Sequence, residues 1–244
     1  DGIFDGASCL WAGGRLGIGT DSNIRISLFD ELRMLEYGQR LQDQARAVLA
    51  ERVLVNEIYR AATAIGMPMG PLELFDVVGL DTALFAGKTM HDAFPERVGK
   101  SPLLRALVEA GRLGQKTGKG FYSYENKRRK PEHDPSLAEF LEVEPASGKQ
   151  DRTALARRML LPMLLEATRA LEEKIASDPR DVDLGLIYGI GFPPFHGGLL
   201  FWADTQGASR ILEWLEPLQP LGARFAPTPL LEELARSGKK FYDL

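Results

Sequence analysis

Three observations predict a mainly α-helical protein. Apolar residues recur at helical spacing along most of the chain, as in Leu28, Leu32 and Leu35 and again in Leu72, Phe75 and Val78. Clusters of glycine and proline interrupt that periodicity at 65–71, 111–120 and 191–198, where helices must stop. The pattern also occurs twice. Gly70, Asp76 and Gly79 return 128 positions later as Gly198, Asp204 and Gly207. Each copy then closes alike, Pro102-Leu103-Leu104 leading to Phe121-Tyr122 and Pro229-Leu230-Leu231 to Phe241-Tyr242. An ordered recurrence of this kind is read as internal duplication before any fold is assigned.

Taken in order, residues 1–26 are rich in glycine, with Arg15–Thr20 reading as a strand that ends at Asp21. Ser27 caps a helix whose first turn carries Asp30 and Glu31, the charge that suits a helix N-terminus. Residues 27–65 contain no proline and make one long helix or two abutting ones. Pro71 stands at the first turn of the next helix, followed by helices over about Asp81–Phe94 and Pro102–Ala110. Four glycines make 111–120 a loop, and Phe121–Tyr124 a short extended segment beyond it. The polar, proline-bearing stretch 126–150 reads as a linker. A helix over about Thr153–Lys174 opens the second copy, with Pro162 predicting a kink or restart. Shorter helices follow at Asp181–Tyr188, near 199–216 and at 229–237.

Composition narrows the function. The 244 residues are 44% hydrophobic and 26% charged, with a net charge of −4, which gives no basic face for nucleic acid. The run Lys127-Arg128-Arg129-Lys130 beside Pro131 reads as a solvated turn. No apolar stretch approaches a membrane span, and the first residues carry no basic stretch ahead of an apolar one, so no secretory leader is expected. The single cysteine, Cys9, forms no internal disulfide or cysteine-cluster metal site, so a reduced, cytoplasmic protein is expected.

The loop Gly111–Gly120 is one residue short of a P-loop between Gly114 and Gly118, and Gly120 replaces its Ser or Thr. It reads as a turn returning Phe121 and Tyr122 to the core, with Lys116 and Lys119 available to an anion. Gly17-x-Gly19-x-x-Ser22 lacks the third glycine and the following acidic strand of a dinucleotide fingerprint. Asp21 suits a turn, a cap or a metal ligand at a strand end. The Gly/Pro breaks let backbone approach a ligand or another helix closely. Met67 and Met69 suit either an aliphatic pocket or plain packing. His196 stands in the second break, where the first has no histidine. No nucleophile–base pair emerges by spacing.

Gly66-Met67-Pro68-Met69-Gly70-Pro71-Leu72-Glu73-Leu74, Asp76-x-x-Gly79-Leu80-Asp81 and Gly111–Tyr122 together resemble the C-terminal domain of 3-hydroxyacyl-CoA dehydrogenases. Gly189–Gly198 is similar to the second, degenerate repeat in the α-subunit of the fatty-acid oxidation complex. The resemblance covers residues 52–244 and implies a duplicated, 6-phosphogluconate dehydrogenase C-terminal-like helical fold whose repeats pack together like a homodimer. It implies NAD-dependent oxidation of a 3-hydroxyacyl-CoA, with the cofactor and the catalytic His and Glu on a Rossmann domain whose motifs are not in this sequence. It implies that Asn56 is either the active-site asparagine or the asparagine of an Asn-Glu pair further along the same helix, in a first helix hairpin shorter than the family's. It implies Met67, Pro68, Met69, Gly70 and Pro71 as acyl-CoA contacts. A Rossmann or hydratase portion or a thiolase subunit are the implied partners.

Asp1–Ala7, Gly13–Asn23 and Glu31–Tyr37 resemble formiminoglutamate deiminases, in which the residue matching Asp21 ends the last barrel strand and helps bind metal. The organisation read here is a strand–helix amidohydrolase-like remnant (1–51), a helical repeat (52–125), a linker (126–150) and a second repeat (151–244). The function read is the C-terminal part of a β-oxidation dehydrogenase. The alternatives are a non-catalytic dimerisation or acyl-CoA-binding module, and an amidohydrolase built on the N-terminal segment.

Overall fold

The computed structural model describes residues 55–140 and 151–244. The amidohydrolase-like segment, with Cys9 and Asp21, and the junction near residues 50–52 lie outside the described residues. So do positions 141–150 of the linker.

Helices α1 (Val55–Ala64), α2 (Pro71–Val78), α3 (Leu80–Ala93) and α4 (Pro102–Glu109) build the first half. The breaks fall where glycine supplies backbone that other residues avoid: φ is 92° at Gly66 and 104° at Gly79. Ser101 caps α4 by accepting from the Leu104 amide at 3.2 Å, with Pro102 in the first turn. Beyond the glycine-rich loop, β1 (Tyr122–Glu125) and β2 (Arg128–His133) form an antiparallel hairpin. Asn126 and Lys127 both take positive φ at its tip, the conformation of a two-residue hairpin turn.

The second half contains α5 (Arg152–Glu172), α6 (Pro179–Ile190), α7 (Leu199–Gln206), α8 (Ala208–Leu215) and α9 (Pro229–Ser237), closed by a 3-10 turn at Phe241–Asp243. Asp151, Asp178 and Thr228 cap α5, α6 and α9. Gly207, with φ of 87°, splits 199–216 into two helices, as Gly79 separates α2 from α3.

Two features differ from the sequence reading. The span 126–150 is not connector throughout, since β2 pairs with β1 and Leu137 is buried in the first core. Lys127, Arg128 and Lys130 sit on exposed positions of the hairpin, which gave the stretch its linker-like composition, but Arg129 is half-buried against Glu73, so the basic run is not a wholly solvated turn. Helix α5 is continuous through Pro162, so of the expected kink or restart the restart does not occur. Leu160, Leu161, Met163, Leu164 and Leu165 around it are all buried, and their burial offsets the missing backbone hydrogen bond.

The two cores interlock. The first gathers Ile58, Phe75, Leu80, Leu104, Leu107 and Phe121, with Leu155 and Met159 of α5 packed against it. The second gathers Leu161, Leu164, Phe192, Leu199, Ile211 and Phe225, with Ile65 and Met67 of the first half packed against it. Helix α1 lies on α5, and Arg152 bonds Glu57 at 3.1 Å across that contact.

Candidate functional site

The two Gly/Pro breaks meet. A Cβ on Gly66 would stand 2.3 Å from the Phe195 ring, and one on Gly191 would stand 3.1 Å from Cγ of Pro68. His196 lies 3.1 Å from the Ile65 carbonyl through Nε2, which makes that nitrogen the donor, and its ring packs on Phe195 at 4.6 Å between centroids. The five residues Met67–Pro71 of the first break have unequal surroundings. Met67 packs on the second core, and exposed Pro68 sits beside Gly191. Met69 is half-buried, while Gly70 and Pro71 are buried at the start of α2. A Cβ on Gly70 would come within 2.9 Å of the Tyr59 Cα, so glycine there allows α1 and α2 to touch. Asn56 is half-buried on the first turn of α1, next to the Glu57 that holds α5.

Behind the first break lies a buried carboxylate. Asp76 accepts from the backbone amides of Phe121 at 2.9 Å and Tyr122 at 2.8 Å, and from the Tyr124 hydroxyl at 3.2 Å. Glycine is required opposite it: a Cβ on Gly120 would stand 1.9 Å from Asp76 Oδ1, and one on Gly114 2.2 Å from the Asp76 carbonyl oxygen. Burial pushes the Asp76 carboxyl up to about 7, against the pull of its donors and of the Arg112 charge. Arg112 donates to the Gly120 carbonyl and, at 2.7 Å, to Ser136, which ties the loop to the segment after the hairpin. Asp134, next to it, is held down to about 2: burial raises it, but Ser136, Ser123 and the Arg112 charge prevail.

The glycine-rich loop is thus a lock rather than a phosphate cradle. The Gly114, Thr117, Gly118 and Gly120 amides bond within the loop and its flanks, and the next two amides are taken by Asp76. Lys116 pairs with Asp81 at 2.6 Å. Lys119 remains exposed.

The second half contains the same lock. Asp204 accepts from the amides of Phe241 at 2.7 Å and Tyr242 at 3.1 Å. A further carboxylate, Asp183 of α6, accepts from the first-turn amides of α7 at Leu200 (2.8 Å) and Phe201 (2.9 Å) and from the Tyr242 hydroxyl (2.9 Å). Burial raises both acids above the ordinary carboxylate range, against those hydrogen bonds. Asp183 has no sequence signature of its own. The nearest signal is Gly198, where a Cβ would meet the Asp183 side chain at 2.1 Å.

No helix among the described residues is long and apolar enough to cross a membrane. Among them the only sheet is the antiparallel hairpin, which does not fit a dinucleotide: that site needs a parallel strand–helix–strand unit with its glycine turn.

The model of the 3-hydroxyacyl-CoA dehydrogenase C-terminal domain matches the chain twice, at residues 37–124 and 155–241. The chain is 39% identical over 202 residues to the fatty acid oxidation complex subunit alpha of Shewanella amazonensis, covering 82% of this chain and 28% of that subunit. In fold it is similar to 3-hydroxybutyryl-CoA dehydrogenase of Escherichia coli K12, with a TM-score of 0.63 and 24% identity over 85% of this chain and 60% of the other. The dehydrogenase part of multifunctional enzyme 1 from C. elegans gives a TM-score of 0.60 at 24% identity, covering 85% of this chain and 47% of that one. The chain therefore belongs to the family of 3-hydroxyacyl-CoA dehydrogenase C-terminal domains.

Proposed function

We propose that this chain is the C-terminal portion of an NAD-dependent 3-hydroxyacyl-CoA dehydrogenase of fatty-acid β-oxidation, with its two halves derived from one duplicated unit. The single observation that carries the reading is the seam at Gly66–Pro71 and Gly191–Gly198. There Ile65 and Met67 pack on the second core and Gly66 and Pro68 meet Phe195 and Gly191, while Leu155 and Met159 of α5 return the contact on the first core, as two subunits of a dimer would. The first half faces substrate with Asn56, Pro68 and Met69, which Met67, Gly70 and Pro71 support from behind, and the second half is its structural partner. Hydride chemistry belongs to NAD held on a Rossmann portion outside the described residues, and these helices contribute acyl-CoA contacts and support.

Calorimetry tests this. A 3-hydroxyacyl-CoA should bind the chain saturably, and Met69→Gln should weaken it severalfold, whereas NAD alone should give no saturable heat. Saturable NAD binding would overturn the assignment of the cofactor to another portion. Unchanged acyl-CoA affinity in Met69→Gln would remove the first break from the site. The junction near residues 50–52 is part of the same proposal. The family match reaches back to residue 37, inside the stretch that resembles a deiminase, so the coding DNA across codons 45–60 is the sequence to determine.

A further inference from the structure

The second half carries a cluster that the dehydrogenase reading does not use. Arg157 of α5 lies over the indole of Trp214 on α8, its guanidinium carbon 4.2 Å from the ring centroid. Arg210, one turn earlier on α8, reaches the same ring at 6.0 Å. Trp202 of α7 stands beside it, 6.3 Å between centroids at 31°. Two guanidinium groups thus converge on one half-buried indole. Among the described residues neither has a carboxylate within ion-pairing distance; Glu213, next to Trp214 and three residues from Arg210, pairs with neither.

Bringing two cations to one ring without an acid between them is electrostatically unfavourable unless an anion joins them. The indole attracts each cation, and a guanidinium stacked by its face keeps its N–H edge free for acceptors in its plane. The fold does not demand this arrangement. At the 128-residue offset the first half has Leu74, Thr82 and Ala86 where the second has Trp202, Arg210 and Trp214. The same helix pair therefore packs without any of the three.

We propose that Arg157 and Arg210, set on Trp214 beside Trp202, form a binding site for a phosphoryl group. Paired N–H donors match the geometry of its oxygens, and the charge of two guanidinium groups matches that of a dianion. Inorganic phosphate and a phosphate ester share this chemistry. An ester with an aromatic group would add stacking on the two indoles.

The test uses the whole chain at low ionic strength, titrated separately with sodium phosphate and with ADP. Tryptophan emission and calorimetry are read in parallel. Saturable binding of both is expected, weakened about tenfold or more in Arg157→Gln and in Arg210→Gln. Arg157→Lys, which keeps the charge but loses the fork, should fall between them and the wild type. ADP tighter than phosphate assigns the site to aromatic phosphate esters; equal affinities assign it to the phosphoryl group alone. The proposal is overturned by a response that sodium chloride reproduces at matched ionic strength. It is overturned equally by no saturation with either compound, or by affinities unchanged in both Gln variants. Arg210 is exposed, so Arg210→Gln carries the test if Arg157→Gln alters the far-ultraviolet circular dichroism.

Discussion

The two halves of the chain use one lock and then diverge around it. In both, an aspartate on the helix that follows the Gly/Pro break takes the amides of a Phe-Tyr pair: Asp76 with Phe121 and Tyr122, Asp204 with Phe241 and Tyr242. The surroundings of the tyrosine ring differ. Tyr242 donates its hydroxyl to Asp183, which also caps α7, and no strand of the described residues follows it. In the first half the guanidinium of Arg129, from β2, lies over Tyr122 and Tyr59 and pairs with Glu73 of α2 at 3.1 Å. Where Gly198 backs onto Asp183, Gly70 backs onto Tyr59. The backbone task of joining the chain's closing turn to two helices is common, and the side chains that complete it are interchangeable.

The comparison breaks most severely at the glycines facing the acids. Gly120→Ala drives a methyl into Asp76, and Gly198→Ala drives one into Asp183 at a residue with φ of 118°. Each should cost about 4 kcal/mol or more, enough to keep the chain from folding, and soluble yield with circular dichroism reads the outcome. Removing the acids is milder and separates the halves. Asp76→Ala leaves two amides and a hydroxyl without their acceptor in a fully buried position, an expected loss of about 3–5 kcal/mol. Asp204→Ala frees two amides at a half-buried position and should cost about 1–2 kcal/mol. Because the cores interlock through α1 and α5, both variants should lower one common urea transition. Two separate transitions would show the halves to be independent folding units.

The acidity of the locks sharpens the comparison further. Burial raises Asp76 to about 7, so between about pH 4 and pH 7 the folded chain binds more protons than the unfolded one. Stability should therefore fall as pH rises through that window, and Asp183 and Asp204 act in the same direction. The urea midpoint should be higher at about pH 5 than at about pH 7.5, with a smaller difference in Asp76→Asn. An equal difference in wild type and Asp76→Asn would assign the dependence to the second-half acids.

Much of this was legible in the residues themselves. Gly66, Gly79, Gly191 and Gly207 mark helix ends because only glycine takes their backbone angles comfortably, and helix boundaries followed from them. The paired Asp and Phe-Tyr positions showed that something recurred. They did not show that the carboxylate holds the amides, because that contact joins residues 45 positions apart. The meeting of the two breaks was hidden for the same reason: Gly66 and Phe195 approach only when both cores are assembled. The hairpin was hidden by its composition, since β2 is mostly charged and its segment is anchored by Leu137 and by the Arg112 contact with Ser136. Periodicity finds apolar faces and is silent on polar contacts of this kind.

The smallest expected effect tests whether an ion pair confined to one half matters to its stability. Lys116, in the glycine-rich loop, pairs with Asp81 on the first turn of α3. At the 128-residue offset the second half has Ser209, whose hydroxyl instead bonds the Ala235 carbonyl at 3.4 Å. Lys116 and Asp81 keep 47% and 41% of their side-chain surface in water, where solvent and salt screen the attraction. Lys116→Ala should therefore change stability by less than about 0.5 kcal/mol, and the change should vanish in about 1 M salt. The urea midpoint measured with and without salt reads both. A loss comparable to that of Asp204→Ala would mean that the loop's hold on α3 is part of the lock, and that the first half needs a second fastening which the second half does without.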